Sequence, residues 1–123
     1  MNLEELERRH NIELHPLHRE VLQDPDDPIH QACEMLLIES PNDLLDFTRV
    51  NTYLHSKSGR SWPDFLIAFA TNGCGDYFAY DLRETPRRIV YIDLDSSVWE
   101  QLRADSDLEL RDFQDWYDYE LDG

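Results

Sequence analysis

Cys74 lies between Gly73 and Gly75, the setting of some nucleophilic cysteines. A thiol in that role needs a neighbouring imidazole or a helix N-terminus to lower its pKa. The residues after it, Asp76 to Leu82, are aromatic-rich and suit a strand, and no histidine occurs downstream. Cys74 is therefore expected to hold a turn and not to attack a substrate. His10, His15, His18, His30 and His55 all fall in the first half of the chain. His15 and His18 could share a helix face and, with an acid, begin a metal site. Pro16 sets His15 at or before the helix start, however, and no third ligand has a recognisable spacing, so the histidines are expected at the surface and no metal or other cofactor is expected. Asp76, Asp81, Asp93 and Asp95 cluster at predicted strand ends. Paired carboxylates serve acid–base chemistry or bind divalent cations, but none of these fits the Asp-x-Asp-x-Asp-Gly register of a calcium loop. Turn and cap roles account for most of them, with Asp95 just before a helix near Ser97. The sequence contains no phosphate-cradling glycine loop, serine-centred elbow or basic nucleic-acid patch. Catalysis is not expected.

Charge is the most unusual global property. Lys and Arg number 11 against 27 Asp and Glu, a formal net charge of −16 over 123 residues. Such a field repels nucleic acid and anionic membranes, which bind through cations, and it favours basic protein partners. An excess of acid also serves solubility alone, and both readings stand on composition. An apolar fraction of 41% with 11% aromatic residues suffices for a packed interior, and the length suits one domain over residues 1–123. Cys33 and Cys74 form no disulfide framework. The opening Met1-Asn2-Leu3-Glu4-Glu5 lacks the basic and apolar regions of a secretory signal, and no apolar run reaches the ~18 residues that span a bilayer. The cytoplasm is the expected compartment.

The elements that position these residues follow from spacing. Leu3 and Leu6 mark a short amphipathic helix that Asn11 ends, and Pro16 opens a second one with Leu17, Val21 and Leu22 on its apolar stripe. Asp24-Pro25-Asp26-Asp27-Pro28 is a loop. The segment from Ile29 to Glu39 fits helix or strand, and a strand over about 34–39 is the expectation taken. Ser40-Pro41-Asn42-Asp43 reads as a helix start, with Leu44, Leu45, Phe47, Tyr53 and Leu54 facing inward. Leu66 to Ala70, Asp76 to Leu82 and Ile89 to Ile92 predict three strands joined by short links, an antiparallel meander. Asn72-Gly73 between apolar runs is a hairpin signal. Gly73 and Gly75 permit positive φ, and Asp76 is placed to accept from turn amides, so Asn72, Gly73, Gly75 and Asp76 are expected to form a structural turn. Ser97-Val98-Trp99-Glu100 and Ser106-Asp107-Leu108-Glu109 both match a capping box. Leu110, Phe113, Trp116 and Tyr117 fall at helical spacing. The fold class is α+β, a small antiparallel-rich central sheet flanked by helices.

The run Trp62 to Leu82, with its Gly75-Asp76 turn and its Asp81-Leu82 ending, resembles the core of the SUKH superfamily. That superfamily takes in the yeast Smi/Knr cell-wall regulator and many bacterial immunity proteins. The strand Ile89 to Asp93 and the aromatic pair Phe113 and Trp116 fit the same pattern, and the similarity runs from about Ser40 to Leu121. Before it the chain departs from the family: His15 separates Leu14 from Pro16, and the acidic proline-rich loop replaces an Asn-Gly turn. The resemblance implies a cytoplasmic antidote that neutralises a polymorphic or contact-dependent toxin, or alternatively a regulatory or scaffold module that docks on host proteins. A nucleic-acid mimic is a weaker third reading.

From Asp93 to Gly123 eleven acids face only Arg103 and Arg111. Asp112, Asp115, Asp118, Tyr119 and Glu120 are the residues expected to meet a protein partner, such as a basic toxin domain. The bland alternative is an amphipathic helix, with Phe113, Trp116 and Tyr117 inward and acids in water.

Overall fold

In the computed structural model, which describes residues 1–56, 62–72, 75–83, 87–103 and 110–122, helix α1 spans Leu3–His10 and α2 spans Pro16–Gln23. Asn2 caps α1 by accepting from the Glu5 N–H at 2.8 Å, and Asn11 ends it in the left-handed region at φ 51°. Proline at the first position of α2 lacks a donor that no helical bond would use. His15 caps that helix, its Nδ1 accepting from the Leu17 N–H at 3.1 Å. Glu7 ties the two helices together, Oε2 accepting from the Leu14 N–H at 2.9 Å and from Arg19 Nη2 at 2.7 Å.

A short helix α3 (Ile29–Ala32) leads into strand β1 (Glu34–Met35). The apolar run forms β2 (Leu66–Thr71), followed by β3 (Asp76–Asp81) and β4 (Arg88–Asp93). The sheet order is β1-β2-β3-β4 and each neighbouring pair is antiparallel. The expected meander is therefore present, with β1 added beside β2. β1 is shorter than the strand expected over 34–39, because Leu37 leaves the sheet to bridge Asp46 in parallel. Leu37 N–H donates to Leu45 O at 2.8 Å and Leu37 O accepts from Phe47 N–H at 2.9 Å. That bridge also holds residue 46 extended and so delays the next helix.

Helix α4 spans Phe47–Ser56, not a stretch opening at Ser40. Asp46 supplies its cap, Oδ1 accepting from the Arg49 N–H at 3.0 Å. Ser40 instead accepts from the Asn42 N–H at 3.1 Å, ahead of a 3-10 turn at Asp43–Leu45. The shift turns two expected core residues outward: Leu44 is 71% and Tyr53 54% exposed.

Every residue of β2 is buried, which requires cover on both faces of the sheet. Helix α6 (Phe113–Asp122) joins α2 over one face. There Phe69 meets Trp116 edge-on at 4.9 Å and Phe113 at 5.5 Å, while Phe78 meets Trp116 at 5.5 Å. Helix α5 (Val98–Arg103) lies beside β4. Ser97 caps it as expected, its Oγ accepting from Glu100 N–H at 3.4 Å. The second Ser-x-x-Glu motif, at Ser106, lies outside the described residues.

Side-chain amides close both flanks of the meander. Asn51 of α4 donates through Nδ2 to Ala68 O at 2.9 Å and accepts through Oδ1 from Ala68 N–H at 2.8 Å. On the far flank Gln101 of α5 accepts from Asp93 N–H at 2.8 Å and donates to Asp93 O at 2.6 Å. A carboxamide carries a donor and an acceptor spaced like those of a peptide, so each replaces one residue of a neighbouring strand.

Candidate functional site

The β2–β3 connection ends in a polar cluster. Gly75 has φ +89° with nothing within 4 Å of the place a Cβ would take, so the constraint on a side chain there is the backbone conformation. Gly73 and Cys74 lie outside the described residues. Asp76 Oδ2 accepts from Asn72 Nδ2 at 3.0 Å and from the Tyr91 hydroxyl, and Asn72 Nδ2 also reaches Tyr91 Oη at 3.1 Å. Two side chains thus meet the Asp76 carboxylate, and the amides of Gly73 and Cys74, which the turn expectation concerns, lie outside the described residues. The Tyr91 hydroxyl, aided by Asn72, holds the Asp76 carboxyl below the usual range against a burial effect of opposite sign. Burial and the same carboxylate push the Tyr91 phenol up to about 12. Sequence reasoning did not single out Tyr91. Its relation to Asp76 depends on strand register, which pairs Phe78 with Tyr91 and Asp76 with Asp93.

Helix α6 carries the acids expected to meet a partner, and each has a different local task. Asp112 precedes the helix and accepts from Asp115 N–H at 3.0 Å, the geometry of an N-cap. Asp115 Oδ2 accepts in turn from Arg111 N–H at 3.1 Å, and Asp118 accepts from Gln114 Nε2 at 3.1 Å. Asp115, Asp118 and Tyr119 are exposed, whereas Glu120 is half-buried. The inward side of the helix is Phe113 and Trp116, both fully buried. Tyr117 is half-buried and donates from its hydroxyl to Asp27 at 3.0 Å.

Glu120 opens onto a cleft of about 410 Å³ whose walls include Cys33, Glu34, Asn72, Phe78 and Tyr91. It thus borders the aromatic face of the sheet where α6 ends. Burial raises the Glu120 carboxyl above its ordinary range. The Cys33 thiol is pushed up to about 12, chiefly by burial and further by Glu120 and Glu34. A thiol so raised stays protonated and is a poor nucleophile.

The other reactive-looking residues are dispersed. Asp81 sits at the opposite end of β3 from Asp76 and grips Arg83 with both oxygens, at 3.1 Å to Nε and 2.8 Å to Nη2. Asp93 Oδ1 accepts from Asp95 N–H at 2.8 Å, a local turn. His18, expected at the surface, is fully buried. Its Nδ1 lies 2.7 Å from Tyr80 Oη and its ring stacks on Phe113 at 4.5 Å. Position 18 is three residues before Val21 on α2, so it shares the inward stripe, and its polarity disguised that in the sequence. Burial drives its pKa down to about 3. His10, His15 and His30 are half-buried and His55 is exposed. His30 and His55 serve structure, donating from Nε2 to Val21 O at 3.0 Å and Leu66 O at 2.9 Å respectively. Among the described residues no group of three or more His, Cys, Asp or Glu is arranged to hold a metal ion. No helix among them is long and apolar enough to cross a membrane.

A family model, that of the SMI1 / KNR4 family (SUKH-1), matches residues 2–119. The match begins well before Ser40, so the N-terminal helices fall within the family pattern despite their divergent turn. No curated protein and no solved structure matches the chain.

Proposed function

Because the chain belongs to the SMI1 / KNR4 family (SUKH-1), we propose that it is a non-catalytic protein-binding domain, extending over residues 1–123, that acts as a cytoplasmic immunity protein. On this reading it neutralises a toxin by covering a basic face of the toxin domain with an acidic one. The observation that carries it is the division of α6. Phe113 and Trp116 are locked into the core, while Asp115, Asp118 and Tyr119 are exposed. An acidic surface on a rigid base steers a basic partner, and an exposed aromatic supplies contact area. The net charge of −16 extends that attraction beyond the contact itself.

Co-expression with the toxin domain encoded beside its gene tests this proposal. A stable complex and protected cells are expected. Neither complex nor protection sinks it, and a complex with a host protein that confers no protection favours a regulatory module instead.

A further inference from the structure

The two side chains that the late start of α4 turns outward, Leu44 and Tyr53, line one groove of about 620 Å³. Its walls come wholly from α1, the 3-10 turn, α4 and β3. Arg49, Thr52 and Tyr53 recur at three- and four-residue spacing and make one exposed stripe of α4. Val50, 5% exposed, and the half-buried Tyr77 give the groove an apolar floor. Phe78 meets Trp116 of α6, and successive strand residues point to opposite faces, so Tyr77 and the groove lie on the sheet face away from α6. Large apolar side chains left together in water mark a contact surface. The rim of this one is cationic in a molecule of net charge −16. Arg9 and Arg49 line it, and among the described residues Asp43 is its one acid. Arg49 pairs with Asp43 at 2.8 Å, but the two side chains are 66% and 68% exposed, where such a pair contributes little. Arg9 is exposed and has no ion-pair partner among the described residues.

We propose that this groove receives an acid-bearing amphipathic helix of a protein partner, which sets apolar side chains one turn apart against Leu44 and Tyr53 and a carboxylate against Arg9 and Arg49. Leu44 at 71% and Tyr53 at 54% are too exposed for the groove to enclose a small molecule, since a ligand cavity buries most of its guest. A helix laid in a groove brings its own second wall. The guanidinium edges at the rim suit a carboxylate, with which they can pair through two parallel hydrogen bonds. A second copy of this chain is a poor occupant, because each copy brings a net charge of −16 to the meeting. The occupant instead carries its negative charge locally, beside its apolar stripe. It is therefore a different partner from a basic toxin domain. The sheet stands between this groove and α6, so one chain can hold both partners at once. This second surface goes beyond the proposed function and does not rest on it.

The test titrates the 15N-labelled full chain with the peptide acetyl-Glu-Glu-Leu-Ala-Gln-Leu-Leu-Ala-Gln-Ala-amide and follows it by NMR. Saturable shifts should centre on Leu44, Arg49 and Tyr53 and spare Asp118 and Tyr119 of α6. Replacing both peptide glutamates by lysine should weaken binding several-fold, against the attraction that net charge alone gives a cationic peptide. Arg9→Gln should weaken binding by up to about fivefold, the upper range for an exposed charge pair, and Leu44→Ser by roughly tenfold. Both side chains are exposed, so the spectrum away from the groove should stay unchanged in either variant. An absence of saturable shifts, shifts centred on α6, a lysine peptide that binds equally well, or binding indifferent to both variants overturns the inference. Sedimentation of the chain without peptide should give a monomer. A dimer that Leu44→Ser dissolves would assign the groove to a second copy and overturn the inference too. The toxin co-expression experiment is decided separately, since none of these outcomes involves α6 in toxin binding.

Discussion

His18 and Tyr80 form a polar pair inside the core. Nδ1 and Oη satisfy each other at 2.7 Å, but His18 Nε2 and Trp116 Nε1 are buried with no hydrogen-bond partner among the described residues. The His18 ring nevertheless stacks almost parallel to Phe113, at an interplanar angle of 6°, and so helps to seat the helix that bears the acidic surface. Tyr80→Phe strips His18 of its one partner and should cost about 1–3 kcal/mol in urea unfolding. Adding His18→Phe removes the stranded nitrogen, so the double variant should cost clearly less than the sum of the singles. Additivity would show that the pair is not coupled. The same histidine sets a pH response. Its unfolded imidazole takes a proton as the pH falls through 6.5, while the folded one stays neutral down to about 3. Its contribution is therefore complete above that window and is lost in acid, by about 1.4 kcal/mol per pH unit. Urea midpoints at neutral pH and in mild acid should diverge in the wild type, and the divergence should shrink in His18→Phe.

At the scale of elements, the sheet depends on side chains that stand in for strands. Asn51 satisfies both peptide groups of Ala68 while Nδ2 also donates to Phe47 O at 2.9 Å within its own helix. It locks α4 to β2 at a point β1 does not reach. Asn51→Ala strands a buried N–H and C=O and leaves a void, so a loss of roughly 3 kcal/mol or more is expected by chemical denaturation. Asn51→Asp keeps the acceptor but loses the donor and buries a charge, and should be no better tolerated. A loss below about 1 kcal/mol in either variant would mean that the strand edge finds other partners. On the helix side, Asp112 joins α6 through its capping bond, and Asp112→Ala should cost about 1 kcal/mol whether or not a partner binds.

For the whole molecule, an imbalance of 27 acids to 11 bases acts over distance and is screened by salt. Steering is best tested where charge is least structural, which excludes the capping Asp112 and favours the exposed Asp122 and Asp118, the latter bonded to the exposed Gln114 side chain. Reversing both to lysine should slow association with a basic partner several-fold at low ionic strength, leave dissociation nearly unchanged, and lose its effect in high salt. Stopped-flow association rates at two salt concentrations measure this. An unaltered on-rate at low salt would remove α6 from the encounter surface.

The three antiparallel strands, the helix ends at Asn11 and Ser97 and the burial of Phe113 and Trp116 were all legible along the chain. Each is a local property, set by alternation, a capping side chain or a helical repeat. The start of α4 was not, because a parallel bridge between Leu37 and Asp46 overrides the local signal at Ser40. Nor were the interior place of His18, the strand-like role of Asn51 or the meeting of Asp76 with Tyr91. These pairings join residues 62, 17 and 15 positions apart. The sequence by itself determined the element types, the acidity and the family pattern. Only the tertiary structure decided which polar side chains are spent inside the fold and which remain at its surface. Hydrogen bonding between distant segments depends on packing geometry, which periodicity within one segment does not encode.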